Sequence, residues 1–162
     1  MRRSSRFGIG AALAAGALAV TGLVFAPAAA AVQPADATAE YDCGAFGGGD
    51  ADLHATQSGG SITITVSTSV VTPLPIGAGD ATTTLVLTLD GGPGTATFTG
   101  SSSPASPAFN PFTSGPLTSS SSFAAGDTLD SYFGGTALTL EIFGTTVECE
   151  AVTSQSSESV AD

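Results

Sequence analysis

The stretch SITITVSTSV, Ser61 to Val70, alternates Ile62, Ile64 and Val66 with Thr63, Thr65 and Ser67. A period of two puts the aliphatic side chains on one face and the hydroxyls on the other, the pattern of a strand with one buried side. Thr82 to Leu89 repeats it with Leu85, Leu87 and Leu89, and the turn DGGPG, Asp90 to Gly94, leads into TATFTG, where Ala96 and Phe98 share a face. That is a hairpin with a glycine-rich loop. The same criteria predict strands over Glu40 to Phe46, Ala51 to Gln57, Leu117 to Phe123, Thr128 to Phe133, Thr136 to Phe143 and Thr146 to Thr153.

About eight short strands with no helical period beyond the N-terminus predict an all-β fold, a single antiparallel β-sandwich over residues 39–153. A jelly roll or small barrel is the alternative. The likeness to immunoglobulin-like sandwiches is one of architecture only. The chain has no Trp, and its two cysteines lie near the ends of the domain, so no family is identified from the residues. Ser101 to Pro116, SSSPASPAFNPFTSGP, reads as a loop too rich in Pro and Ser for a central strand, with Phe109 and Phe112 either packed over a sheet end or offered to a partner. Its Ser and Pro content also suits O-glycan attachment.

The first 31 residues read as a secretory signal peptide. Arg2, Arg3 and Arg6 precede an apolar run from Phe7 to Phe25, and APAAAA ends it with small residues. Cleavage is expected after Ala31, with Ala37 as a second site. Residues 32–38 then form a short linker, and the polar tail 154–162 is predicted to be disordered. The expected location is extracellular, secreted or loosely associated with the cell envelope, with no integral membrane segment after cleavage.

Charge narrows the partners. The chain carries 14 acidic residues and three basic ones, and all three arginines lie in the leader, so removing it takes the net charge from −11 to −14. Nucleic acid is excluded as a partner, because phosphate binding leans on Lys and Arg. A basic or cell-envelope partner fits, and repulsion between like-charged copies predicts a monomer. Cys43 and Cys149, an even pair in an exported chain, predict one disulfide joining the first and last strands.

Two acidic constellations suggest metal chemistry, each with a plainer reading as a solvated sheet face. In TLEIFGTTVECEA, Thr139 to Ala151, a turn at Gly144-Thr145 would place Glu141 directly opposite Glu148, with Glu150 on the same face, while Leu138, Leu140, Ile142, Val147 and Cys149 point inward. Opposed carboxylates repel by a few tenths to about 1 kcal/mol unless a cation screens them. In GDADLHAT, Asp52 and His54 share a strand face, and a third ligand would have to come from a neighbouring strand. No nucleophile elbow of the form G-x-S-x-G occurs, and the Asp127 and Asp130 carboxylates, a candidate pair for glycoside hydrolysis, sit in AAGDTLDS, where Gly126-Asp127 reads more simply as a turn. The sequence therefore predicts a non-catalytic protein without a cofactor, acting by surface interaction. A divalent-cation module and a small secreted hydrolase are the alternatives.

Overall fold

The computed structural model describes residues 32–161; the expected leader, 1–31, lies outside them. Ten strands follow in order: β1 Asp36–Asp42, β2 Gly48–Ser58, β3 Ser61–Val71, β4 Ala81–Leu89, β5 Gly94–Gly100, β6 Pro111–Thr118, β7 Thr128–Ser131, β8 Thr136–Ile142, β9 Thr145–Ala151 and β10 Ser159–Val160. No α-helix occurs among the described residues. Neighbours run β4-β5-β6-β3-β2-β1-β9-β8, and β8 returns to β4 over Ala81–Leu85, closing an eight-stranded antiparallel barrel. Beyond that point β4 leaves β8 and pairs at Leu87, Thr88 and Leu89 with β7, which carries β10 on its outer edge.

The expected sandwich is thus corrected to its small-barrel alternative. Inward and outward faces alternate identically in both architectures, so the period-two pattern does not distinguish them; edge closure does. Two seams of the ring are thin. β5 meets β6 only at Thr99↔Thr118, and β1 meets β9 only at Tyr41↔Ala151 and Asp42↔Glu150. The second seam is held covalently, because the next residues in the same register, Cys43 and Cys149, form a disulfide spanning 106 residues of sequence. Closing a loop of that size is worth up to about 4–5 kcal/mol in the chain-entropy argument.

The inner face carries the residues read from the alternation. Ile62, Ile64, Val66, Leu85, Leu87, Ala96, Phe98, Leu138 and Leu140 are all buried, and Phe123 stacks on Phe98 with ring centroids 5.8 Å apart. Outside, Thr139, Thr84, Thr99, Thr118, Thr63 and Thr56 stand side by side across β8, β4, β5, β6, β3 and β2. Thr56 and Thr63 join Oγ1 to Oγ1 at 2.7 Å. Such pairs add roughly 0.2–1 kcal/mol each and let an outer face with no lysine or arginine hold its strands in register.

Three segments depart from the sequence reading. β6 starts inside the stretch expected to be a loop, and the strand expected over Leu117 to Phe123 ends at Thr118. Its proline is accommodated because Gly115 and Pro116 together stand across from Thr65, between the Ile64↔Leu117 and Val66↔Ser114 pairs, a bulge in which no ladder N–H is required of Pro116. Gly115 has φ 133°, and a Cβ there would lie 2.8 Å from Thr65 Cα, so the bulge needs glycine. The expected linker is also structured: Val32 is buried and β1 begins at Asp36. So is the described part of the tail, residues 154–161. The Val152 and Ser156 N–H groups donate to the Glu40 and Thr38 carbonyls, both at 2.8 Å, Val160 pairs with Gln33 and Thr128, and Ala161 is buried. Backbone pairing holds this segment, and polar side-chain composition gives no sign of it.

Candidate functional site

At one end of the barrel, three connections meet. Directly after β1, a single 3-10 turn, Gly44–Phe46, is fixed by Asp42 Oδ1, which accepts from the Gly44 N–H at 2.9 Å, and by the Cys43 N–H donating to Gly47 O at 2.8 Å. The β3–β4 connection is shaped by Thr72 Oγ1 donating to Leu74 O at 2.6 Å. The β8–β9 hairpin turns at Phe143-Gly144, with φ of 55° and 74°. Positive φ at both central residues is what a type I′ turn requires, and its twist matches that of the flanking strands.

Side chains from these connections and from the strand ends beside them line an apolar groove, among them Phe46, Val71, Pro73, Leu74, Phe143 and Val147. Seven large hydrophobic side chains are exposed among the described residues, and four of them, Phe46, Val71, Leu74 and Phe143, lie here. A fifth, Phe109, stands beside it, because its N–H donates to Thr72 O at 2.8 Å. Phe109 and Phe143 are two of the three non-glycine residues with positive φ among the described residues. A bulky side chain at positive φ is strained, so the backbone here holds aromatic rings toward solvent against local preference. Phe112, by contrast, is buried in the core, so the two aromatics of the Ser101 to Pro116 segment divide between packing and exposure.

The carboxylates fall differently from the expected hairpin. Because the turn is Phe143-Gly144, Glu141 faces Thr146 on β9 and Thr82 on β4, and Glu148 faces Thr139. The predicted opposition of Glu141 and Glu148 is corrected: the register moves by two in the sum of partner numbers, which leaves every inward residue inward. Like charges do oppose one another elsewhere, Glu40 across from Asp50 and Asp42 across from Glu150, all exposed. Asp42, Glu148 and Glu150 share a polar depression with Gly44 and Thr136. This depression and the apolar groove flank the same Gly44–Phe46 turn, Gly44 lining one and Phe46 the other.

His54 and Asp52 lie on the outer face of β2, far along the strand from the groove-lining turn, in a shallow polar region with Asp36, Thr38, Thr65 and Ser67. His54 Nδ1 meets Asp36 Oδ1 at 2.6 Å, with 54% and 82% of the two side chains exposed, and Asp52 accepts instead from Thr38 Oγ1 at 3.0 Å. The two potential ligands are thus engaged by different partners. Among the described residues, no group of three or more His, Cys, Asp or Glu side chains is placed to hold a metal. Asp127 accepts from the Ala124 N–H at 2.8 Å, and Asp130 from the Ser131 and Gln155 N–H groups at 2.7 and 2.8 Å, so both carboxylates secure backbone. Inside, burial first and the Asp130 charge second push the Tyr41 hydroxyl up to about 12.

The groove is the feature that sequence reading missed. Phe46 and Phe143 end expected strands and Leu74 lies between two prolines, and no periodic signal links positions so far apart in the chain. No protein-family model matches the chain, and comparisons with curated proteins and with solved structures give no match.

Proposed function

We propose that this is an exported, non-catalytic β-barrel protein that acts by surface interaction, and that the apolar groove at the Phe46, Leu74 and Phe143 end is the interacting surface. The observation that carries the reading is convergence: three connections distant in sequence bring four of the seven exposed large hydrophobics to one groove. Singly scattered apolar residues are ordinary on a surface, whereas a contiguous apolar cluster rimmed by polar groups is a typical interaction site. Phe143 adds to this, since its ring is kept on a turn position whose φ of 55° suits Asn or Gly better. The Cys43–Cys149 disulfide is consistent with an oxidising compartment, and no helix among the described residues is long and apolar enough to cross a membrane.

An environment-sensitive apolar dye tests the groove without knowledge of the partner. The purified protein is expected to bind it, and Leu74→Ser and Phe143→Asn should each weaken binding by roughly tenfold, equivalent to about 1.4 kcal/mol. Dye affinity that neither substitution changes would remove the groove as an interaction surface.

A further inference from the structure

We infer that the groove's partner is a cationic, amphipathic polypeptide segment, one that places an apolar side chain in the groove and a Lys or Arg in the adjoining acidic depression. The inference rests on the proposed groove and adds the chemistry of its occupant. Both recesses share a wall: the Gly44–Phe46 turn separates them, and β9 runs from Val147 in the groove to Glu148 and Glu150 in the depression. A segment crossing that wall meets apolar surface on one side and three carboxylates, from Asp42, Glu148 and Glu150, on the other.

Charge decides between occupants. After the leader's arginines, the chain carries no Lys or Arg to neutralise its acidic groups. A second copy would bring an equally acidic body against this end, and an anionic lipid surface would be repelled likewise. A basic segment gains from both recesses, and its attraction would fall with salt, as interactions of exposed charges do.

The test is fluorescence anisotropy of a labelled peptide of alternating Lys and Leu on the purified protein, beside Glu-Leu and Lys-Ser peptides of the same length. The Lys-Leu peptide is expected to bind at least about tenfold more tightly than either control, since it alone satisfies both recesses. Phe143→Asn, which leaves the charge intact, should weaken it about tenfold. The double variant Glu148→Gln, Glu150→Gln should weaken it several-fold and flatten its dependence on salt. Equal binding of the Lys-Leu and Glu-Leu peptides, both lost in Phe143→Asn, would overturn the cationic partner while leaving the groove standing. Equal binding of Lys-Leu and Lys-Ser, unchanged in Phe143→Asn, would overturn the inference by reducing it to general charge attraction. A concentration-dependent dimer in sedimentation, abolished by Phe143→Asn, would overturn it in favour of a second copy. Absence of binding by all three peptides would also overturn it, and the apolar dye then reports separately on the groove.

Discussion

Replacing Phe143 by Ala and, separately, by Asn isolates the strain that the β8–β9 turn carries. Phe143 has φ 55° and remains 54% exposed, so close to half of its surface rests on the protein. Full burial of a Phe side chain is worth about 1.5–3 kcal/mol, so removing this half-buried ring by either substitution costs about 1 kcal/mol of packing. A residue with a Cβ in the left-handed region is disfavoured by roughly 1–2 kcal/mol, a penalty that Ala retains and Asn largely escapes. Phe143→Ala should therefore destabilise by about 1 kcal/mol, while Phe143→Asn should fall near neutral. The separation of about 1 kcal/mol corresponds to roughly 4 °C in midpoint for a domain of this size. Urea and thermal unfolding of the two variants beside the parent measure it directly. If Ala proves as stable as Asn, the turn does not strain its Phe, and the backbone does not hold this ring outward against local preference.

Reducing the Cys43–Cys149 bond should lower stability by about 2–5 kcal/mol, and the unreduced native protein should give no reaction with a thiol reagent. The Tyr41 hydroxyl ionises at 10.0 when unperturbed and at about 12 in the fold, so its contribution is intact below pH 10 and is lost as pH rises toward 12. Over that window the unfolded chain binds fewer protons than the native one, and stability should fall by about 1.4 kcal/mol per pH unit, roughly 2–3 kcal/mol in all. Tyr41→Phe should flatten this loss in denaturant titrations, and with no lysine in the chain no lysine titration overlaps it. Glu40→Thr should raise stability by a few tenths to about 1 kcal/mol by relieving its opposition to Asp50, whereas Glu148→Thr, already facing Thr139, should change the stability read from urea unfolding by less than about half of that.

How much of this was legible depends on whether a feature repeats locally. The strand of Ser61–Val71 shows its two faces in its own alternation, and the burial of Ile62, Ile64 and Val66 follows directly. The cysteines were readable because few chemistries suit an isolated exported pair. The β8–β9 register was not, because moving the turn from Gly144-Thr145 to Phe143-Gly144 preserves which residues face inward and changes only who stands opposite whom. Sequence preference also pointed away from a Phe at positive φ. β6 escaped because its Pro116 is harmless only beside the Gly115 bulge, a property of the partner strand β3 as much as of its own residues. Closure into a barrel and formation of the groove both depend on pairings between segments far apart in the chain, where no local pattern reports them.

Whether this end of the barrel is the interacting surface can be read residue by residue from nuclear magnetic resonance mapping of the Lys-Leu peptide onto the isotopically labelled protein. Shift changes should concentrate on the amides of Phe46, Val71, Leu74, Phe143 and Val147, and extend through Gly44 to Glu148 and Glu150. Changes centred instead on Asp36, His54 and Thr65, on the outer face of β1, β2 and β3, would place binding elsewhere and contradict the proposed function.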